Sequence, residues 1–157
     1  MLRILIITLL LTRTANALTI GTGFTYTKNK EVASQQYKPT FTIGGSWEYK
    51  KINLAINTNR FAVRSNDLVL KSGLKVKQTV RFDGLQLGYR INRFIPALFL
   101  ANVKIEKKFL DQKTTNNLLV SGFSVNYLLT KDLSFGFGGT TKNEEGQSFF
   151  TNITYRL

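Results

Sequence analysis

Apolar and polar residues alternate along almost the entire chain from residue 18 onward, and no stretch shows the 3.6-residue period of an amphipathic helix. In the first such segment, Leu18, Ile20, Phe24 and Tyr26 occupy even positions, while threonine and glycine occupy the odd ones. Successive side chains of a β-strand point to opposite faces, so this pattern predicts strands with one apolar and one polar face. We therefore predict an all-β protein of about eight antiparallel strands.

The first 17 residues follow a different pattern. Arg3 precedes an apolar run over residues 4–11, and Ala15-Asn16-Ala17 matches the A-x-A motif of a signal-peptide cleavage site. The apolar run is shorter than the roughly 20 residues that a transmembrane helix needs. We predict that residues 1–17 are a cleaved signal peptide and that the mature chain begins at Leu18.

The exported part, residues 18–157, is long enough for one domain but contains neither cysteine nor histidine. Without cysteine, backbone pairing rather than disulfides must hold the domain together, and a closed antiparallel barrel provides such pairing. Histidine is the commonest general base and metal ligand, so its absence argues against an enzyme. We expect no catalytic, cofactor-binding or metal-binding residues.

Alternation alone allows two kinds of barrel: a membrane barrel with its apolar face in lipid, and a secreted lipocalin-like carrier with its apolar face inside. The polar face consists largely of small residues, such as Gly21, Gly44, Gly122 and Gly138, while the apolar face carries Trp47 and most aromatic residues. An eight-stranded barrel is narrow, so the face with small residues belongs inside. We therefore predict an up-and-down transmembrane β-barrel of the bacterial outer membrane.

All six tyrosines lie on the apolar face near predicted strand ends. A tyrosine ring is apolar and its hydroxyl group prefers water, so the boundaries between lipid and water suit this residue. We predict two aromatic belts. One belt contains Trp47, Tyr49, Tyr89, Tyr127 and Tyr155, and the other contains Tyr26 and Tyr37.

The predicted connections alternate in length, as expected for short periplasmic turns and longer extracellular loops. The short connections are residues 50–51, 92–96 and 130–132, and the long ones are residues 28–36, 61–73 and 107–117. Between two of these connections, the fifth predicted strand is expected to face lipid with Ala97, Phe99, Ala101, Val103 and Ile105.

The fourth predicted strand changes phase in its middle. Its apolar residues have even numbers up to Phe82 and odd numbers from Leu85, so the slip falls at Asp83-Gly84. An Asp-Gly hairpin would give nine strands, whereas a bulge would absorb one extra residue within a single strand. We favour the bulge, because an even number of strands leaves both chain ends on the periplasmic side.

Several charged residues fall on the predicted inner face. Unpaired charge in a narrow lumen is unfavourable, so these residues predict a polar interior network. Their excess of cations leaves a second hypothesis open, a small passive pore that prefers anions. The predicted lumen residues are Glu48, Lys75, Lys77, Arg81, Arg90, Lys104, Glu106 and Arg156.

The segment from residue 60 to residue 77 is the best candidate for a binding surface. It is expected to extend two strands beyond the bilayer as a hairpin around Ser65-Asn66-Asp67, which would pair with a partner strand or attract acidic surfaces. The alternative is a mobile solvated loop. The candidate residues are Arg60, Phe61, Arg64, Leu68, Leu70 and Lys71.

Through this alternation and short motifs such as Gly88-Tyr89-Arg90, residues 18–157 resemble the small eight-stranded outer-membrane barrels of the OmpA transmembrane-domain and OmpX/Ail-like kind. The resemblance implies a C-terminal signal that the barrel-insertion machinery recognises. Phe149, Ile153 and Tyr155 fit that signal, while Leu157 stands where the family usually has phenylalanine.

The formal charge of +13 completes the functional expectation, because a strongly cationic surface attracts polyanions. For an outer-membrane barrel these are lipopolysaccharide phosphates or a host or surface ligand, and not nucleic acid. We expect a structural, surface-binding or adhesion role through basic extracellular loops. The pore and the lipocalin-like carrier are the alternatives.

Overall fold

The computed structural model describes residues 17–157, except 29, 36, 37, 62, 64, 111 and 143–145, and except the side chain of Thr27. The predicted signal peptide therefore lies outside the described residues up to residue 16, and Ala17 is the first residue of a strand. The described residues form no helix that is long and apolar enough to cross a membrane. The strands are β1 (Ala17–Lys28), β2 (Val32–Gln35), β3 (Thr40–Tyr49), β4 (Ile52–Thr58), β5 (Ser65–Leu70), β6 (Lys75–Tyr89), β7 (Phe94–Phe109), β8 (Gln112–Leu128), β9 (Leu133–Thr140) and β10 (Gln147–Arg156).

Eight of these strands close into an antiparallel barrel. Their order is β6-β4-β3-β1-β10-β9-β8-β7, and the pairing of β7 with β6 closes the ring. Tight turns join the strands at one end, and the residues Lys50 and Asn92 in these turns have φ values of 55° and 56°. The prediction of an eight-stranded up-and-down barrel is confirmed.

The barrel wall is much higher on one side than on the other. The strands β6, β7 and β8 are 15, 16 and 17 residues long, whereas β4 and β9 have 7 and 8. The short strands β5 and β2 add to the free edge of β6 above the barrel. We call this projecting part the rim sheet: β2, β5, and residues 75–82, 103–109 and 112–118 of β6, β7 and β8.

All three predicted long loops contain strand residues in the structure, and the loop predicted at residues 28–36 includes the strand β2. The predicted loop 107–117 is wrong, because β7 and β8 continue as a ladder up to the pair Phe109 and Gln112. The predicted hairpin tip at Ser65-Asn66-Asp67 is also wrong, because these residues belong to β5. The turn lies instead at residues 71–74, where Gly73 has a φ of 82° and donates its N–H to the carbonyl oxygen of Leu70 at 2.9 Å.

The phase slip at Asp83-Gly84 is neither a hairpin nor a bulge. β6 pairs with β7 in one uninterrupted register from Lys77 opposite Lys108 to Gly88 opposite Ala97. Even-numbered residues of β6 therefore point inward along its whole length. The favoured bulge is thus wrong, although the favoured single strand and strand number are correct.

The apolar pattern inverts because the two faces of β6 meet different surroundings at different heights. Within the barrel wall, Leu85 and Leu87 lie on the outer face and are exposed. Above it, the inner face becomes the apolar one and packs into a small core of the rim sheet. Its buried members include Leu68, Val76 and Ile105.

The strand β7 was assigned to the wrong face. Its residues 97–105 with odd numbers point inward, where Ala97, Ala101 and Ile105 are buried, while Leu98 and Leu100 are exposed outside. The sequence pattern misled because both faces of β7 are apolar at this level: one points into the lumen and the other is exposed on the outer surface of the barrel.

On the other barrel strands most large apolar side chains lie outside the barrel, as predicted, with Phe150 of β10 as an inward exception. Ile20, Phe24, Phe135 and Phe137 are 40–54% exposed, whereas the inward Ser46 and Ser124 are 4% and 3% exposed. A lipocalin-like carrier would have the opposite arrangement, so this alternative is excluded.

Candidate binding surface on the rim sheet

Two polar residues between the end of β4 and the start of β5, Asn59 and Arg60, connect the rim sheet to the barrel. We call these two residues the clasp. The side chain of Asn59 replaces the missing strand: its Nδ2 donates to the carbonyl oxygen of Val80 at 2.9 Å, and its Oδ1 accepts the N–H of Phe82 at 2.7 Å. Beside it, Arg60 binds the carboxylate of Asp83 through Nε at 2.8 and 2.9 Å. The clasp therefore supplies hydrogen-bond partners for β6 at the height where its neighbouring strand changes from β4 to β5.

Three predicted lumen charges meet inside the barrel near the tight-turn end. Arg90 Nη1 lies 2.6 Å from Glu48 Oε1, and Arg156 Nη1 lies 3.9 Å from Glu48 Oε2. One carboxylate between two guanidinium groups offsets part of this inward positive charge. This group is the polar network that the sequence suggested, reduced to three members.

Two phenylalanines fill the lumen farther up. Phe99 and Phe150 point inward from β7 and β10, and their ring centroids are 5.4 Å apart. The wall opposite each ring is glycine: a Cβ on Gly122 would collide with Phe99, and one on Gly138 with Phe150. The small inner residues thus make room for two aromatic rings, which occupy the space that a pore would need.

The other five predicted lumen charges are not in the lumen. The unbroken register of β6 places Lys75, Lys77 and Arg81 on its outer face, with Lys104 and Glu106 on the outer face of β7. Their assignment to the interior is wrong, because it assumed the bulge in β6 and the wrong face of β7. These residues lie together on the outward face of the rim sheet.

Glu106 is the centre of this outward cluster. Its carboxylate lies 2.6 Å from Arg81 Nη1, 2.9 Å from Lys113 Nζ and 3.2 Å from Lys104 Nζ. Hydrogen bonds from Lys113 and Lys104, together with the nearby charge of Arg81, lower the pKa of Glu106 to about 2. The carboxylate is therefore ionised at neutral pH and holds three cations around it.

Above Glu106, three lysines stand in a row across three strands. Lys77 is directly opposite Lys108, and Lys108 is directly opposite Lys113. Like charges in directly opposite positions are destabilising. Lys108 and Lys113 were missed from the sequence because they fell in a predicted loop. We call the outward cations Lys75, Lys77, Arg81, Lys104, Lys108 and Lys113 the basic face.

The fold of the closed barrel matches known structures. The attachment invasion locus protein Ail of Yersinia pestis is 13% identical with a TM-score of 0.51, over 90% of this chain and 97% of that one. The Neisserial surface protein A is 8% identical with a TM-score of 0.54, over 90% and 96%. The chain has the fold of the small eight-stranded outer-membrane barrels. No protein-family model and no curated protein matches it.

The aromatic belts can be placed on this outer-membrane barrel fold. Tyr49, Tyr89 and Tyr155 are 50–72% exposed on the outer face at the tight-turn end, and Tyr127 contacts Phe94 with 5.0 Å between ring centroids. Phe94 was not predicted as a member, since it starts its strand outside the tyrosine pattern. Trp47 lies half-buried on the outer face of β3, Tyr26 is exposed near the upper end of β1, and Tyr37 lies outside the described residues.

The predicted candidate residues of segment 60–77 do not form one surface. Arg60 is held by Asp83, Leu68 is buried in the core of the rim sheet, and Leu70 is half-buried. Phe61 and Lys71 are exposed, but Lys71 lies at the hairpin tip, far along β5 from Phe61. Arg64 lies outside the described residues.

The residues of the predicted assembly signal share the outer face of the last barrel strand. Phe149, Ile153, Tyr155 and Leu157 are 45–62% exposed. Their strand β10 pairs with the first strand β1 over ten residue pairs and thereby joins the two ends of the barrel. Recognition of this segment by insertion machinery stays a prediction.

Proposed function

We propose that this protein is a non-enzymatic outer-membrane barrel that binds acidic partners at the cell surface through its rim sheet. The observation that carries the proposal is the basic face. It presents six cations and, within the same outward rows of β6, β7 and β8, two carboxylates, Asp83 and Glu106. Asp83 is bound by Arg60, so most of the positive charge is available to a partner.

The filled lumen favours a surface role over conduction. Phe99 and Phe150 extend into its middle, and Glu48 pairs with Arg90 and Arg156 below them. Two rings that narrow the lumen make conduction less favourable than a role of the outer surface. Adhesion is one form of this role, and one structural neighbour is an attachment invasion locus protein.

The rim sheet is suited to binding because its strands are fixed. Its inner face is a buried apolar core, and the edge strand β2 is tied to β5 by the ladder of residues 32–35 and by a contact of 3.4 Å between Lys38 and Asp67. Cations on a rigid surface lose little conformational entropy when a polyanion binds.

Binding to heparin, a soluble sulfated glycan, tests the proposal. The protein is reconstituted in zwitterionic nanodiscs and compared with the variant Lys77→Gln/Lys108→Gln/Lys113→Gln over a series of salt concentrations. At roughly 0.5–1 kcal/mol for each exposed charge pair, we expect affinity to fall about tenfold or more, with a shallower salt dependence.

The matched control is Lys50→Gln/Lys51→Gln/Lys131→Gln, which removes the same charge from the tight-turn end. We expect this control to bind heparin like the unmodified protein. Equal loss in both variants would show that net charge, and not the rim sheet, is responsible. Absence of salt-sensitive heparin binding by the unmodified protein would contradict the proposal.

A further inference from the structure

The basic face points sideways, not upward. It continues the same outward rows of β6 and β7 that carry Leu85 and Leu100 in the apolar band below it. A side chain in these rows points away from the barrel axis, toward the molecules that surround the barrel in the membrane. Directly above the hydrocarbon, those molecules are the head groups of outer-leaflet lipids.

The height of the cations fits this layer. A strand tilted by about 45° rises roughly 2.3 Å per residue along the barrel axis. Arg81 and Lys104, which are directly opposite each other, are four residues above Leu85 and Leu100, or roughly 9 Å. The interfacial region is roughly 5–7 Å thick on each side of the hydrocarbon core. The pair therefore lies at or just above the outer boundary of the interfacial region, where its long side chains reach lipid phosphates, and the lysine row lies roughly 9 Å higher.

The cluster also carries more positive charge than its own carboxylate balances. Glu106 lies between the pair Arg81 and Lys104 below and the row of Lys77, Lys108 and Lys113 above. Among the described residues, Lys77 and Lys108 have no ion pair. An additional anion would relieve the repulsion between the opposed cations, while Glu106 holds three of them in fixed positions.

We propose that the basic face binds the phosphate groups of a phosphorylated outer-leaflet glycolipid, lipid A with its attached core sugars. Arg81 and Lys104 bind a head-group phosphate, and Lys77, Lys108 and Lys113 bind phosphates or carboxylates of the core above it. Glu106 is a positioning residue. This inference rests on the proposed function, because it uses the same cations. It differs in the ligand, which is the lipid that surrounds the barrel.

Native mass spectrometry of the full chain from mixed micelles measures the binding directly. The probes are bisphosphorylated lipid A, its monophosphorylated form and a dephosphorylated form. We expect the unmodified protein to bind the bisphosphorylated lipid at least tenfold more tightly than the dephosphorylated one. Equal binding of the three lipids would overturn the proposal without requiring any variant.

Two variants locate the site. Arg81→Gln/Lys104→Gln is expected to lower the affinity for bisphosphorylated lipid A at least tenfold, while Lys50→Gln/Lys131→Gln at the opposite end lowers it less than twofold. Folding of each variant is checked by the mobility difference between unboiled and boiled samples. Full lipid A binding by the folded Arg81→Gln/Lys104→Gln variant would overturn the proposal.

The heparin measurement separates this inference from the proposed function. Lipid A binding without heparin binding would leave the lipid site standing and would contradict the role in binding soluble acidic partners. Heparin binding without phosphate-dependent lipid A binding would do the reverse. Binding of both is expected.

Discussion

Phe99 and Phe150 meet edge to face inside the barrel, with 5.4 Å between their ring centroids and 73° between their ring planes. The two residues come from strands that are separated by two others, so the rings extend into the lumen from different parts of its wall. Edge-to-face contacts of this kind add roughly 0.5–1.5 kcal/mol beyond the burial of the rings. The contact fills the lumen with apolar groups at the level where a channel would need water.

The first prediction concerns this aromatic contact. The double variant Phe99→Ala/Phe150→Ala removes both rings, and we expect it to conduct ions in planar bilayers while the unmodified protein does not. Both rings are half-buried, so the loss of stability for each ring should be smaller than the roughly 3–5 kcal/mol that removal of a fully buried phenylalanine costs. Phe123→Ala, which removes a ring from the lipid-facing surface, serves as the control and should not conduct. Conductance by the unmodified protein would restore the pore hypothesis.

The second prediction tests the corrected faces of β7. The chain has no cysteine, so single cysteines can be labelled selectively. Leu98→Cys should react with a membrane-soluble maleimide at least about tenfold faster than Ala97→Cys, because Leu98 is 67% exposed on the outer face and Ala97 is 3% exposed. Faster labelling at position 97 would mean that the assignment made from the sequence was correct after all.

The third prediction concerns the clasp below the rim sheet. Asn59→Ala leaves the N–H of Phe82 and the carbonyl oxygen of Val80 without their side-chain partner, which costs about 1–3 kcal/mol for each buried group. We expect hydrogen exchange to accelerate at Phe82 and along β5, with little change in β1 and β10. Asn117→Ala on the exposed outer face is the control. Uniform acceleration over the whole barrel would show that Asn59 stabilises more than the rim sheet.

The fourth prediction follows from the pKa of Glu106, which is lowered from 4.5 to about 2 in the folded protein. Because folding favours the ionised form, its contribution to stability is complete above about pH 4.5 and is lost as the pH falls toward 2. A carbon NMR titration of the labelled carboxylate should show a midpoint near 2. Glu106→Gln should remove this part of the pH dependence of unfolding. A titration midpoint near 4.5 would show that the three cations do not hold the carboxylate in solution.

Much of the barrel could be predicted from the sequence because the two faces of most strands differ in the size and polarity of their side chains. In β1, β3, β8, β9 and β10, the outer face meets lipid and the inner face meets a narrow lumen, so bulky apolar residues alternate with small ones. Ile20, Phe123 and Phe135 could therefore be placed outside, and Gly122 and Gly138 inside, from their positions alone.

The basic face could not be found in the same way. Lys75, Lys77 and Arg81 alternate with apolar residues, and residues that face a lumen show the same pattern. The change of phase at Asp83 also suggested a break in register between these residues and the rest of β6. Two lysines of the face, Lys108 and Lys113, have no strand pattern of their own. Their position depends on the pairing between strands, and the local periodicity of the sequence does not reveal which strands pair.

The sequence by itself determined an all-β chain with two contrasting faces, since the pleat of a strand turns local alternation into sidedness. Only the tertiary structure decided what each face meets. The same outer face of β6 carries exposed apolar residues at Leu85 and a cation at Arg81, because the strand leaves the apolar band between them. The height of a residue along the barrel axis and the identity of its neighbouring strand are set only when the barrel closes. They decide whether an apolar residue of an alternating strand lies inside or outside the barrel.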